Sequence, residues 1–129
     1  MIRGMQGPRR KILIVDDSDV CLDLARMALE ERGHEVITAT TPFGFSSLLR
    51  RERPDLALVD VMMPALQGHQ VIEIAKRYDL SRCPLVLFTS RPEKELAALA
   101  KGCGAAGYIA KTGDWAAFVA AVEHYLEGA

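Results

Sequence analysis

Three aspartates, a threonine and a lysine stand directly after short apolar runs of the sequence; they are Asp16, Asp17, Asp60, Thr89 and Lys111. Carboxylates held close together disfavour full ionisation unless a cation neutralises them. Mg²⁺ prefers such oxygen ligands, usually one or two carboxylates with waters and a phosphate oxygen. The lysine ammonium and the threonine hydroxyl can bind phosphoryl oxygens. The set therefore predicts in-line phosphoryl transfer, with Asp60 as the nucleophile.

Each of these residues also has a simpler structural explanation. A single aspartate after a strand often caps the next helix or forms a turn, and Asp19 fits that role for the first helix. Thr89 can cap a helix in the same way, a lone lysine such as Lys111 is usually solvated, and a strand tyrosine such as Tyr108 is usually packed. The five polar residues follow four different strands, however, and this joint pattern favours one shared site.

The elements that must position these residues follow from the apolar pattern. Short apolar runs alternate with segments of helical period, which predicts five strands and five helices. The predicted strands are Ile12–Val15, Val36–Ala39, Leu56–Val59, Pro84–Phe88 and Gly107–Ala110. The predicted helices cover Cys21–Leu29, Thr41-Pro42 to Leu49, Val71–Tyr78, Leu96–Cys103 and Trp115–Leu126. The alternation predicts an α/β fold, a doubly wound parallel sheet that binds ligands at the carboxyl ends of its strands.

Length, composition and charge limit the classes of protein. A chain of 129 residues predicts one domain, and a composition that is half apolar and 26% charged is typical of a soluble globular protein. We expect residues 1–10 to be a flexible leader or a cloning remnant and residues 11–127 to form the domain. The net charge of −1 provides no basic field for nucleic acid or an anionic membrane. No apolar run approaches the roughly 20 residues of a membrane span.

The cysteines indicate the compartment. Cys21, Cys83 and Cys103 are odd in number, lie at long spacings and form no Cys-x-x-Cys pair. This pattern argues against a disulfide framework or a zinc site. It is typical of thiols in a reducing cytosol, so we expect a cytoplasmic protein.

The chain from Lys11 to about Leu126 resembles the receiver domain of response regulators in two-component signalling. Four segments carry the resemblance: ILIVDDS at 12–18, PDLALVDVMMP at 54–64 with Gly68 after it, VLFTS at 86–90 and GAAGYIAK at 104–111. The resemblance implies a flavodoxin-like (βα)5 fold, a five-stranded parallel sheet with strand order 2-1-3-4-5.

The resemblance also implies roles for the residues around the nucleophile. Asp60 matches the phosphoacceptor, and Asp16 and Asp17 match the acidic pair that holds Mg²⁺ together with Asp60. The backbone carbonyl of Met62 matches a further metal ligand. Lys111 matches the phosphate-binding lysine.

A second group of residues matches the parts that respond to phosphorylation. Thr89 matches the switch hydroxyl, and Tyr108 matches the switch aromatic residue, whose side chain turns inward when the hydroxyl moves toward the phosphate. Met62 and Arg91 occupy the two positions that tune the loss of the phosphoryl group, and their long side chains predict slow self-dephosphorylation. The signalling face implied by the family is formed by the fourth helix, fifth strand and fifth helix.

The implied function is a phosphorylation-dependent switch in a phosphorelay. It would accept a phosphoryl group from a histidine kinase or a histidine phosphotransfer protein, and it would act as an enzyme only on its own phosphorylation and dephosphorylation. Its output would be a downstream protein target or effector domain, or a homodimer through the signalling face, without direct contact to nucleic acid or membrane. We expect either a stand-alone regulator or a part of a longer protein.

Two enzyme or cofactor functions share parts of the pattern. A phosphatase of the haloacid dehalogenase type would need a second carboxylate two residues after its nucleophile, where Met62 stands. A flavin-binding protein would need a hydroxyl- and glycine-rich loop after the first strand, where Asp16, Asp17 and Asp19 would repel the flavin phosphate. Neither function fits the sequence.

A receiver-like interaction module that signals without phosphorylation is the alternative that stays open. Its one supporting feature is Thr112, which stands where the family usually has a proline in a cis peptide. A cis peptide before a residue other than proline costs about 3 kcal/mol, so this loop is expected to be either trans or strained.

Overall fold

The computed structural model describes residues 10–64 and 66–128, in which five strands alternate with five helices. The strands are β1 (Lys11–Val15), β2 (Glu35–Ala39), β3 (Leu56–Val59), β4 (Leu85–Thr89) and β5 (Gly107–Ala110). The helices are α1 (Asp19–Glu30), α2 (Phe45–Glu52), α3 (Gly68–Arg77), α4 (Glu93–Cys103) and α5 (Trp115–Glu127). Residues 1–9 of the expected leader lie outside the described residues.

The strands form one parallel sheet in the order β2-β1-β3-β4-β5. Strand β1 forms parallel hydrogen-bonded pairs with β2 and β3, and β4 forms parallel pairs with β3 and β5. The strand order reverses direction at β1, with β2 on one side and β3 to β5 on the other. The predicted fold class, a doubly wound sheet in the order 2-1-3-4-5, is therefore confirmed.

The three central strands explain why their sequences are continuous apolar runs. Every residue of β3 and β4 is buried, and so is every residue of β1 after Lys11. Helices cover both faces of the sheet, so successive side chains of one strand enter two separate cores. One core contains Leu13, Val59 and Ile72, and the other contains Ile14, Leu58 and Phe88.

Two roles that the sequence indicated at helix starts, for Thr41-Pro42 and for Asp19, are wrong. The second helix begins at Phe45 rather than at Thr41-Pro42, because the Thr41 hydroxyl accepts the Phe43 N–H at 3.3 Å in a separate turn. Gly44 then takes a left-handed conformation with φ of 85° before the helix starts. The first helix is capped by Ser18, whose hydroxyl accepts the Cys21 N–H, so Asp19 is the first helical residue and not the cap.

None of the helices in residues 10–64 and 66–128 is long and apolar enough to cross a bilayer.

Candidate functional site

The polar residues at the carboxyl ends of the strands meet at one edge of the sheet. Asp16 and Thr89 are fully buried, Asp60 is 3% exposed and Asp17 is exposed. One carboxylate oxygen from each of the three aspartates lies within 4.8 Å of the others. The residues that the sequence analysis grouped by their positions after strands are thus brought together, and they form an acidic pocket.

Lys111 reaches into this pocket from the end of β5. Its Nζ lies 2.5 Å from Oδ2 of Asp16 and 3.6 Å from Oδ2 of Asp60. Thr112 follows in a trans peptide, and no cis peptide occurs in the part of the chain that the structure describes. Of the two geometries expected for this loop, the trans form is the one observed, and it keeps the lysine at the carboxylates.

The pocket shifts the ionisation of its members. Burial raises the pKa of Asp60 to about 6, with Asp16 adding to the rise and Lys111 opposing it. Burial acts to lower the pKa of Lys111, but its bond to Asp16 and the charge of Asp60 outweigh that effect and leave the pKa raised. The lysine is therefore cationic at neutral pH, and two buried carboxylates share it.

Backbone groups fix the carboxylate of Asp60. Its Oδ1 accepts the Met62 N–H at 3.2 Å, and its own N–H donates to Val15 O at 2.9 Å in the neighbouring strand. Gly68, at the start of α3, lies against the backbone of Asp60, where a Cβ atom would come within 2.6 Å of the carbonyl carbon. Only glycine allows this close approach of α3 to the end of β3.

Asp16 and Asp17 differ in their surroundings. Asp16 Oδ1 accepts the Ser18 N–H at 2.9 Å, while its buried Oδ2 has no hydrogen-bond partner besides the ion pair with Lys111 among the described residues. Asp17 points its carboxylate from an exposed position toward the same pocket. Three hard oxygen donors, one of them buried and short of partners, fit a divalent cation such as Mg²⁺.

Cys21 is a neighbour of this site that the sequence pattern did not predict. Burial raises the pKa of its thiol to about 12; the Lys111 ammonium opposes the rise, and the charge of Asp16 adds to it. The thiol is therefore protonated beside the acidic pocket. Helix α1 follows β1 directly, so its first turn must lie near the end of that strand and near Asp16. This short connection is the sequence signal that could have placed Cys21 beside the site.

The residues matched to the switch occupy neighbouring positions. Thr89 Oγ1 accepts the Arg91 N–H at 3.4 Å. Tyr108 is half-buried on β5, and its hydroxyl donates to Glu93 Oε1 at 3.3 Å. The ring of Tyr108 is thus tied to α4.

Met62 and Arg91 lie together at the mouth of the site. Both line a cavity of about 340 Å³ that also contacts Asp17. Met62 is 58% exposed and Arg91 is half-buried. Their side chains therefore lie beside Asp17, at the exposed edge of the acidic pocket.

Comparisons with known proteins agree with this geometry. A family model described as the response regulator receiver domain matches residues 12–123. The chain therefore belongs to the receiver domains of two-component response regulators. Receiver domains are signalling domains, which work with kinases and effectors.

Relatives of two different lengths resemble the chain. It is 31% identical to the protein PilH of Pseudomonas aeruginosa over 119 residues, which cover 92% of this chain and 98% of PilH. It is 35% identical to the transcriptional regulatory protein CseB of Streptomyces coelicolor over 118 residues, 89% of this chain and 48% of CseB. The chain thus spans nearly all of PilH but about half the length of CseB.

Solved structures share the fold. A CheY-like receiver domain protein from Methanospirillum hungatei superposes with a TM-score of 0.81 at 27% identity, over 94% of this chain and 96% of that one. A two-component response regulator of the LuxR family from Aurantimonas gives a TM-score of 0.83 at 28% identity, over 94% and 87%.

Proposed function

We propose that this receiver domain is a phosphorylation-dependent switch that takes a phosphoryl group onto Asp60. The observation that carries the proposal is the pairing of a buried Asp60 with the Lys111 ammonium at 3.6 Å, beside two further carboxylates. A lone buried carboxylate would be neutral or fully paired. This one keeps an ammonium nearby that can compensate the charge of an acyl phosphate.

Mg²⁺ is the proposed cofactor. Asp16, Asp17 and Asp60 would hold it through carboxylate oxygens, and the backbone carbonyl of Met62 would supply a further ligand. When bound, the ion neutralises the charge that develops on the phosphoryl oxygens. The carboxylates can hold it because their oxygens already lie within 4.8 Å of one another.

The proposed donor is a phosphohistidine of a histidine kinase or a histidine phosphotransfer protein. An oxygen of the Asp60 carboxylate forms a bond to phosphorus while the bond between phosphorus and the histidine nitrogen breaks. The imidazole leaves with that electron pair and takes up a proton. Lys111 and the Thr89 hydroxyl then hold oxygens of the aspartyl phosphate.

The switch follows from the charge that the phosphate adds, roughly −1.5 to −2. This charge draws the Thr89 hydroxyl and the Lys111 ammonium inward, and the space that Thr89 leaves allows Tyr108 to turn in. The surface formed by α4, β5 and α5 would change in consequence and signal to a protein target, an effector domain or a second copy of the chain. Residues 11–127 would form this functional unit, in the cytoplasm.

The decisive experiment uses the purified protein with Mg²⁺ and acetyl phosphate, followed by intact mass measurement, beside Asp60→Asn. We expect one Mg²⁺-dependent phosphoryl adduct on the natural protein and none on the variant. Asp55→Asn is a matched control, because Asp55 is half-buried at the opposite end of β3, where it accepts the Lys11 N–H. If the folded protein forms no adduct and also does not bind beryllofluoride, the phosphorylation-independent interaction module is favoured.

A further inference from the structure

One hydroxyl of α5 holds the backbone of the residue matched to the switch aromatic. β5 is the last strand of the sheet, so alternate N–H and C=O groups along it face away from β4. Tyr108 is such a residue: its N–H donates to Tyr125 Oη at 3.1 Å, and its C=O accepts from the same hydroxyl at 3.2 Å. A single phenol therefore satisfies both outward groups of this strand residue.

The sequence around this contact is shaped by the close approach of α5. At Gly107 a Cβ atom would come within 2.7 Å of Cζ in the Tyr125 ring. No larger residue fits between the strand and the ring unless the ring moves. Gly107 therefore allows the close contact between β5 and α5.

The side chain of Tyr108 is held separately, on the opposite flank of the strand. Its phenol donates to Glu93 Oε1 at 3.3 Å in the first turn of α4. Burial and the neighbouring Glu93 carboxylate raise the pKa of Tyr108, so the phenol remains protonated and able to donate. Tyr108 is thus bonded to α4 through its side chain and to α5 through its backbone.

We propose that Glu93 and Tyr125 are positioning residues of the switch, Glu93 holding the Tyr108 ring in its outward position and Tyr125 carrying movement of the strand to α5. The proposal rests on the function proposed above. An inward turn of the ring must break the bond to Glu93, whereas the bonds of its backbone to Tyr125 can persist. Glu93 then stabilises the resting state, and Tyr125 links the strand to the helix in both states.

Tyr125→Phe tests the link to α5, with Tyr78→Phe as the control, because the exposed Tyr78 loses a hydroxyl that no described residue bonds. We expect hydrogen exchange at the Tyr108 amide to accelerate about tenfold in Tyr125→Phe alone. With saturating beryllofluoride and Mg²⁺, amide resonances around Asp60 should shift as in the natural protein, while those of 119–127 in α5 should shift less than half as far. Full shifts in α5 despite the faster exchange would overturn the link.

Glu93→Ala tests the restraint on the ring, with Glu95→Ala as the control in the same exposed helical turn. Loss of a bond that stabilises only the resting state should tighten apparent beryllofluoride binding about threefold, while the control stays unchanged. Equal affinities would overturn the role of Glu93. Both variants are compared with the natural protein. If the natural protein itself shows no beryllofluoride-dependent shifts around Asp60, the proposed function has failed, whatever the roles of the two contacts.

Discussion

The ammonium of Lys111 lies nearer to Asp16 than to the proposed phosphoacceptor: its Nζ is 2.5 Å from Oδ2 of Asp16 and 3.6 Å from Oδ2 of Asp60. Asp16 is fully buried, so without the lysine its charge would be costly. The lysine therefore has a structural task in the resting protein, namely neutralising Asp16, besides the catalytic task proposed for it. Mg²⁺ bound to the same carboxylates would take over the structural task and leave the lysine available for a phosphate.

Lys111→Met should separate these tasks. Removing one member of a buried ion pair leaves an uncompensated carboxylate, and we expect the free energy of unfolding to fall by about 2–3 kcal/mol. Millimolar Mg²⁺ should restore part of the loss, because the cation replaces the missing charge. Urea unfolding with and without Mg²⁺ measures both effects, and the exposed Lys101→Met serves as the control. A loss that Mg²⁺ does not reduce would contradict a shared role of ion and lysine.

Gly68→Ala should disable the site through the backbone. The added methyl group would overlap the carbonyl group of Asp60 and displace the end of β3. We expect a destabilisation of about 2–4 kcal/mol and a large loss of phosphoryl adduct. Thermal unfolding and intact mass after acetyl phosphate treatment provide the two readings.

Gly102 supplies the matched control for that substitution. It lies inside α4, and a Cβ atom there meets nothing within 4 Å. Gly102→Ala should therefore stabilise the protein by about 0.5–1 kcal/mol through helix propensity, and the adduct should be unaffected. If both alanine variants behaved alike, the close approach at Gly68 would have no consequence for the site.

The sheet and the site carboxylates could be predicted from the sequence because each depends on local pattern. Central parallel strands are buried on both faces, so the runs at 12–15, 56–59 and 85–88 are continuous and apolar. The polar residue that follows each run must then lie at the carboxyl end of its strand, and this holds for any packing of the helices on the sheet. The convergence of Asp16, Asp60 and Lys111 follows from topology alone.

Other contacts depended on how helices rotate against the sheet, which local pattern does not define. Cys21 lies beside Asp16 only because α1 presents that side of its first turn to the pocket. Tyr125 has the spacing of an ordinary packed residue, yet its hydroxyl bonds the backbone of Tyr108. Helix α2 begins late because Gly44 takes a left-handed conformation just before it. The Thr41-Pro42 pair resembles a helix start more strongly than Gly44 does, so the sequence indicated the wrong residue.

The ion pairs of Glu123 should make the stability of the folded protein depend on pH. Burial raises the pKa of Glu123, but bonds from Arg32 at 3.1 Å and His34 at 3.1 Å outweigh it and leave the pKa below its usual range. A depressed carboxyl pKa adds stability above the unfolded value, about 4.3, and that stability is lost as the pH falls through the folded pKa.

Glu123→Gln should accordingly cost about 0.5–1 kcal/mol at pH 7, since the pair is partly exposed, and nothing at pH 3. Urea unfolding across that range measures the difference, with Glu127→Gln on the same helix as the control. A cost that persists at pH 3 would point to packing rather than to charge.

Met62 and Arg91 line a cavity that contacts Asp17, and we expect water to approach an acyl phosphate on Asp60 from this side. The cavity they line is about 340 Å³, large enough for several waters. We expect the long apolar side chain of Met62 and the bulky cation of Arg91 to restrict the path of an attacking water. The phosphorylated state should therefore last well beyond seconds.

Met62→Ala and Arg91→Ala should each shorten the lifetime of the phosphoryl adduct by about three- to tenfold, because each widens the path of water to the phosphorus. The measurement is the decay of the adduct mass after acetyl phosphate is removed. The control is Met27→Ala, because Met27 is a similarly exposed methionine on α1. A half-life of seconds in the natural protein would contradict the prediction directly. Slower decay in Arg91→Ala would instead mean that the guanidinium assists the leaving carboxylate, since a side chain that only blocks water cannot accelerate hydrolysis.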